Sequence, residues 1–258
     1  MLSSVFSSSR RLLLAASASG GSKKLSPKME ALFSERAKQG RRLDNLNVPR
    51  FDEYLKQKGL NQLKRTPATV IQANIGLTCD LKCTHCHVDA GPTRTEQMDR
   101  KTAERLLHLA KLSDSVTTMD LTGGAPELNG QFRYLVEGAR KQGLTVMDRC
   151  NLTVLFEEGQ EDLADFLAEN QVQIVASLPC YSKKNVTQQR GAGTYDKSIR
   201  GLMELNKRGY GTDPNLSLSL VYNPNGAFLP GDLATLEADY RKALREDWDI
   251  EFNNLFCI

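Results

Sequence analysis

The feature that most constrains the fold is a regular alternation of short apolar strands with amphipathic helices, which begins after Pro67. Runs rich in β-branched residues alternate with segments whose apolar residues recur every three or four positions. Such alternation predicts parallel strands joined by right-handed helical crossovers. The predicted strands are 69–77, 115–124, a strand with its loop in 144–155, 172–179, 216–224 and 250–256. The predicted helices are 99–112, 131–143, 159–171, 196–209 and 233–244.

Six strands and five intervening helices predict an α/β protein with a partial (β/α)6 TIM-like barrel, and a doubly wound open sheet is the alternative. This core occupies residues 67–258. Residues 29–66 are predicted to form a helical N-terminal extension, because apolar residues recur at helical spacing on both sides of Pro49. Three segments are therefore expected: 1–28, 29–66 and 67–258.

The first 28 residues are unlike the rest of the chain. They are rich in serine, include Arg10 and Arg11, and contain no acidic residue. This composition resembles a mitochondrial or chloroplast transit peptide, whereas a secretory signal or an unstructured tail would be the alternatives. We therefore predict an organellar protein, with a cytoplasmic location as the alternative.

Composition argues against two classes of partner. The chain carries a formal net charge of +3, but it has no basic stripe interleaved with aromatic residues, so we expect no nucleic-acid partner. No apolar run approaches the ~20 residues that a membrane-spanning helix needs, so we expect no membrane insertion. Six cysteines among 258 residues are too sparse for a disulfide scaffold, which favours metal ligation for the cysteines that lie close together.

Polar and sulfur-bearing residues are concentrated where the predicted strands end. In parallel α/β proteins these carboxyl ends converge on one rim, and active sites form there. The sequence therefore predicts one site at this rim, with contributions from the following residues: Cys79, Cys83 and Cys86; Gly123, Gly124 and Ala125; Arg149, Cys150 and Asn151; Ser177 and Cys180; Tyr222 and Asn223; Asn253 and Asn254.

The stretch "CDLKCTHCH" places three cysteines and two histidines on one short loop. Three thiolates can bind three irons of a [4Fe–4S] cluster, and the fourth iron is then open to an exogenous ligand. Zinc is the alternative, with His85 or His87 completing four ligands around Cys79, Cys83 and Cys86. A zinc- or cluster-binding module without catalysis is thus the non-enzyme interpretation.

The spacing of Cys79, Cys83 and Cys86 resembles that of the radical S-adenosylmethionine (SAM) superfamily, in which SAM chelates the open iron. An electron from the cluster then cleaves SAM to methionine and a 5′-deoxyadenosyl radical. The stretch "GGAPE" (123–127) resembles the superfamily's GGEP motif, whose backbone receives the amino group of SAM, although Ala125 replaces its usual acid. The resemblance also implies that Ser177 and Arg190 hold the SAM carboxylate and that Asn151 contacts SAM.

Longer stretches, "GLTCDLKCTHCHVDAGP" and "ASLPCY" followed by "QRGAG", resemble the arsenosugar-biosynthesis branch of that superfamily. This branch is thought to join the deoxyadenosyl group of SAM to a methylated arsenical, using a reductase or ferredoxin-like electron donor. Because trivalent arsenic prefers thiolates, Cys180 and Cys150 are the predicted arsenic ligands. The family continues beyond the position of Ile258, so a C-terminally short chain is expected. The alternative is a radical SAM enzyme for another metabolite or a peptide.

Overall fold

The computed structural model describes residues 48–224 and 229–258, together with the single positions 34, 46 and 226. Contacts divide the chain into two compact units, residues 1–65 and 66–258. In the first unit the described residues form helix α1 (Phe51–Gln57), which has acidic residues in its first turn and Lys56 in its last. The predicted transit peptide and most of the predicted helix before Pro49 lie outside the described residues.

The second unit alternates strands and helices along its whole length. Its strands are β1 (Val70–Asn74), β2 (Thr118–Thr122), β3 (Thr145–Asp148), β4 (Gln173–Ser177), β5 (Leu218–Tyr222) and β6 (Asn254–Cys257). Its helices are α2 (Arg100–Lys111), α3 (Phe132–Lys141), α4 (Leu163–Glu169), α5 (Lys183–Arg190), α6 (Thr194–Lys207) and α7 (Leu233–Trp248). Short 3-10 turns follow β2 and β3, at Pro126–Leu128 and Thr153–Phe156.

Local capping fixes where several helices begin. The side chain of Asp99 accepts a hydrogen bond from the Thr102 N–H at the start of α2, and Asp232 does the same for Thr235 at the start of α7. Each cap satisfies one of the amide groups that a helix N-terminus leaves without a partner. Gly143 (φ 78°) follows α3 in the left-handed conformation that ends many helices, as its sequence position predicts.

All six strands are parallel and lie in the order β1-β2-β3-β4-β5-β6. This order confirms the predicted partial barrel and rules out the doubly wound alternative, in which the strand order reverses within the sheet. Alternate residues of each strand point to opposite faces. One face carries the fully buried apolar residues Met119, Leu121, Val146 and Leu220, and the other face carries the polar pair Gln72 and Asp120, which are register partners.

Two elements differ from the sequence predictions. Helix α5 was not predicted, because its residues are almost all polar and give no apolar periodicity; its N-cap Ser182 is the main local signal. The last strand was predicted too early, at 250–256. Asn253 and Asn254 therefore lie at the beginning of β6, and Cys257 and Ile258 lie at its carboxyl end, on the rim of the sheet. The prediction that the two asparagines belong to the rim is wrong.

Candidate active site

A cavity of about 390 Å³ opens at the carboxyl ends of the strands. It brings together most of the residues predicted from the strand ends. No aspartate or glutamate side chain lines it among the described residues, whereas two guanidinium groups and two imidazoles do. Its lining includes Cys79, Cys83, Cys86, His85, His87, Gly123, Gly124, Arg149, Asn151, Ser177, Arg190, Asn223 and Ile258.

The cysteine loop lies directly after β1. Cys79 is buried, and Cys83 and Cys86 are half-buried. Burial raises the pKa of Cys79 to about 11, and the Leu81 amide and the Asn151 side chain act in the opposite direction. The Cys86 sulfur accepts a hydrogen bond from the Ala90 amide at 3.3 Å. A bound metal would replace the proton on each thiol, because thiolates are the form that ligates metals.

The spacing of the sulfur atoms bears on the choice between zinc and an iron–sulfur cluster. A tetrahedral zinc ion holds its thiolates about 3.8 Å apart, since each Zn–S bond is about 2.3 Å. Among the described residues, the three loop cysteines do not form a group whose ligand atoms all lie within 4.8 Å of one another, either alone or with a loop histidine. In a cubane each cysteine binds a different iron, so wider spacing is expected. The arrangement of the loop is thus compatible with a [4Fe–4S] cluster, the group that the sequence predicts here.

The glycine pair is required by close contact with the cysteine loop. A Cβ at Gly123 would lie 2.3 Å from the Gly76 carbonyl oxygen, and one at Gly124 would lie 2.3 Å from the Thr78 carbonyl oxygen. The amide of Ala125 donates to the same Thr78 oxygen at 2.9 Å. The sequence alone does not reveal this structural reason for the glycine motif. The two glycines allow the turn after β2 to pack against the loop that carries the cysteines.

The two guanidinium groups of the cavity are used differently. Arg190 is almost fully buried, and its Nη1 and Nη2 donate to the backbone oxygens of Ser177 and Asn151, so it links the ends of β4 and β3. Arg149 binds the buried carboxylate of Asp120 through Nε and Nη2, at 2.7–3.1 Å. Its Nη1 makes no hydrogen bond to any described residue. Arg149 therefore presents a fixed guanidinium with a free donor to the cavity.

Cys150 does not line the cavity. It is fully buried beside Glu127 and Asp148, and ligand atoms of these three side chains lie within 4.8 Å of one another. Among the described residues no donor meets any of the four carboxylate oxygens in good hydrogen-bond geometry, and the Glu127 amide and the Cys150 thiol only partly offset the effect of burial on the Glu127 pKa. A proton shared by the two acids would supply the missing donor. Burial raises the pKa of Glu127 to about 7, and burial and the Glu127 charge raise that of Asp148 well above its usual value. Burial likewise raises the pKa of Cys150 well above its ordinary range.

Cys180 also lies outside the residues that line the cavity, on the loop after β4. It is 8% exposed, and its sulfur accepts hydrogen bonds from the Ser182 amide at 3.4 Å and from Asn185 Nδ2 at 3.3 Å. These hydrogen bonds orient the Cys180 sulfur on its loop, whereas burial and the neighbouring acids raise the pKa of the Cys150 thiol and favour its neutral form. The structure thus separates the two cysteines that the sequence treated alike.

The residues that sequence reasoning missed are those that support the cysteine loop from other strands. Asp80 accepts hydrogen bonds from Asn151 at 2.6 Å and from Thr153 at 2.5 Å. The position of Asp80 beside Cys79 was the only local signal. His85 was predicted as a loop residue. Its pKa is lowered mainly by burial and also by the nearby charge of Arg190, and the lower pKa favours the neutral imidazole.

A family model described as the Radical SAM superfamily matches residues 73–223, more than half of the 258 residues. The chain belongs to the radical SAM superfamily. The superfamily uses a [4Fe–4S] cluster and SAM, the two cofactors that the sequence predicted. Such radical SAM enzymes act on small molecules or peptides, and the finer arsenical assignment is a separate question. A comparison with curated proteins gives no match.

Two solved structures with bound ligands share the fold. Native anSMEcpe with bound AdoMet and Cp18Cys peptide superposes with a TM-score of 0.53 at 19% identity, covering 74% of this chain and 51% of that one. Streptococcus suis SuiB bound to the precursor peptide SuiA gives 0.55 at 15% identity, covering 88% of this chain and 51% of that one. The chain thus spans about half the length of these proteins.

No described helix is both long and apolar enough to cross a bilayer.

Proposed function

We propose that this radical SAM enzyme joins the 5′-deoxyadenosyl group of SAM to a methylated arsenical, as in arsenosugar biosynthesis. The observation that carries the proposal is the pair of motif stretches around residues 76–92 and 176–193. The first follows β1 and the second follows β4, so both belong to the same rim. An arsenical held by a thiolate at this rim would lie on the side of the sheet where the cluster loop lies.

The cofactor would be held by residues of the cavity described above. Cys79, Cys83 and Cys86 would bind the cluster, which supplies the electron that converts SAM to methionine and a 5′-deoxyadenosyl radical. The backbone at Gly123, Gly124 and Ala125 and the side chain of Ser177 are SAM contacts that the resemblance implies. The resemblance also implies Asn151, but its carboxamide hydrogen-bonds to Cys79, Asp80 and the Val154 amide instead.

Arg149 is a stronger candidate for an anionic group than Arg190. Both guanidinium groups reach the cavity, but both Nη atoms of Arg190 are already bonded to backbone oxygens. Arg149 is oriented by Asp120 and retains a free Nη1, which suits a carboxylate or another oxyanion. We therefore assign the SAM carboxylate to Arg149 and a bracing role to Arg190.

The arsenic ligand is assigned to Cys180. Its sulfur accepts two N–H hydrogen bonds, and thiolates are the preferred ligands of soft trivalent centres. The reaction forms a bond between C5′ and arsenic. Binding of dimethylarsenite to the Cys180 thiol would release water, and after C5′ bonds to arsenic one electron would leave, for which the oxidised cluster would be the acceptor. Water would then replace the Cys180 sulfur on the now pentavalent arsenic, giving the As=O product, the free thiol and one proton. A reductase or ferredoxin-like protein would supply the initial electron.

A peptide or another metabolite is the second candidate substrate. The specific observation in its favour is the polar inner face of the barrel, where Gln72 Nε2 donates to Asp120 at 2.7 Å beside Arg149. Such a surface can hydrogen-bond to a polar substrate, whereas a methylated arsenical offers few polar groups. The solved structures of SuiB and anSMEcpe contain bound peptides, and this observation concerns those two proteins only.

The decisive experiment supplies anaerobically reconstituted protein with SAM, dithionite and dimethylarsenite. Mass spectrometry should find an adduct of deoxyadenosine and dimethylated arsenic. Cys180→Ala should still release 5′-deoxyadenosine but lose the adduct, and Cys150→Ala provides the comparison. Formation of 5′-deoxyadenosine without any adduct in the wild type would reject the arsenical and favour the second candidate. Loss of the adduct only in Cys150→Ala would reassign the arsenic ligand.

A further inference from the structure

We propose that Asn151, together with Asp80 and Thr153, is a positioning residue for the cluster ligand Cys79 and sets the reduction potential of the cluster. The inference rests on Cys79 being a cluster ligand. It does not depend on the arsenical substrate. It assigns Asn151 a different role from the SAM contact that the resemblance implies.

The geometry determines which end of the Asn151 side chain faces the sulfur. Its Oδ1 accepts from the Val154 amide at 3.0 Å, and an amide N–H can only donate. The opposite end must therefore be the NH₂ group. Nδ2 lies 2.6 Å from Asp80 Oδ1 and 3.5 Å from Cys79 Sγ. Both N–H donors of Asn151 are thus used inside the protein, and neither is left for SAM.

Burial makes this arrangement rigid. Asn151 is 6% exposed and Thr153 is fully buried, so water does not compete for their hydrogen bonds. The Thr153 hydroxyl donates to Asp80 Oδ2 at 2.5 Å, and it also lies 3.1 Å from Asn151 Oδ1. Both oxygens of Asp80 are therefore occupied by donors from the segment after β3. The cysteine loop after β1 is held at Asp80, next to its first cysteine.

Cys79 differs in this respect from the other two cysteines of the loop. Its sulfur accepts from Asn151 and from the Leu81 amide, both at 3.5 Å. Cys86 accepts from the amide of Ala90. Among the hydrogen bonds of the described residues, only Cys79 of the three receives a bond from a side chain. Its environment can therefore be altered by substitution without changing the backbone of the loop.

The two groups beside Cys79 act on the potential in opposite directions. Reduction adds one electron to the cluster, taking [4Fe–4S]²⁺ to [4Fe–4S]⁺, and places more negative charge on the thiolates. An N–H donor to a thiolate stabilises that charge and raises the potential, whereas a neighbouring carboxylate opposes it and lowers the potential. Asn151 supplies the donor and Asp80 supplies the carboxylate. Their substitutions should therefore shift the potential with opposite signs.

The test is a redox titration of the anaerobically reconstituted full chain without SAM, following the electron paramagnetic resonance signal of the reduced cluster. Asn151→Leu should make the midpoint potential more negative, and Asp80→Asn should make it more positive. Asn223→Leu is the matched control, because Asn223 lines the same cavity and its carboxamide makes no hydrogen bond to a cysteine among the described residues. It should leave the potential unchanged.

A second pair of variants keeps the test decisive if Asn151→Leu does not assemble a cluster. Thr153→Val removes the hydroxyl donor to Asp80, leaves its charge less neutralised, and should lower the potential. Thr153→Ser keeps the hydroxyl and should restore the wild-type value. Unchanged potentials in the Asp80 and Thr153 variants, or an equal shift in Asn223→Leu, would overturn the proposal. SAM affinity measured by equilibrium binding should not change in Asn151→Leu, and a selective loss of SAM binding with an unchanged potential would restore the SAM-contact role.

Discussion

Replacing Glu127 by glutamine should change how the stability of this enzyme depends on pH. Glu127 is fully buried against Asp148 and Cys150, and its pKa is raised from the ordinary 4.5 to about 7, first of all by burial. A carboxyl group whose pKa is higher in the folded protein than in the unfolded chain binds more protons when folded. The protein should therefore be most stable at low pH within this window and should lose stability as the pH rises.

The magnitude follows from the two pKa values. A tenfold change in proton affinity corresponds to about 1.4 kcal/mol. Raising the pKa from 4.5 to about 7 thus corresponds to about 3 kcal/mol, which is lost as the pH rises from about 4.5 through about 7. Glutamine has nearly the same shape and no charge. Glu127→Gln should therefore make this dependence shallower, while buried Asp148 keeps its own part of it, and the variant should gain stability relative to the wild type at pH 8.

Urea unfolding of the reduced protein, followed by circular dichroism between pH 5 and pH 8, measures this effect. The control is Glu104→Gln, because Glu104 is exposed and pairs with Arg100 on the surface of α2. We expect this control to keep the wild-type dependence. A wild-type free energy of unfolding that is constant or rises over this range, or an unchanged slope in Glu127→Gln, would refute the assignment of a buried neutral carboxyl group.

Three further predictions concern the cavity. Cys83→Ala should abolish 5′-deoxyadenosine formation, because a cluster bound by fewer cysteines loses the iron geometry that SAM needs; iron content and the brown absorbance should fall with it. Gly124→Ala should cost about 1–3 kcal/mol of unfolding free energy and weaken cluster binding, because its Cβ would meet the Thr78 carbonyl oxygen at 2.3 Å. Gly130→Ala, where a Cβ meets nothing within 4 Å, should be neutral in the same urea titration. Arg149→Gln should weaken SAM binding about tenfold or more, as expected for the loss of a charge-assisted hydrogen bond. The affinity for decarboxylated SAM should not change, and equal SAM affinities of wild type and variant would exclude this contact.

Much of the fold could be predicted because its signals are local. The periodicity of two in strands and about 3.6 in helices lies within each segment, so the six strands and most crossovers were placed to within a few residues. The exceptions have local causes as well. Helix α5 has only one buried apolar residue, Val186, and the segment before β6 is apolar enough to resemble a strand although Ile250 and Phe252 lie outside it.

The sequence by itself determined the cysteine loop, the glycine turn and the order of strands and helices, and these suffice for the superfamily and its cofactors. Only the tertiary structure decided which side chains meet. In the folded protein Cys150 lies beside a pair of buried acids, and Arg190 donates to two backbone oxygens. Arg149 keeps an unused donor, and Asn151 donates to the sulfur of Cys79. Such contacts join residues far apart in the chain through strand register and side-chain direction, which no periodicity within a segment encodes.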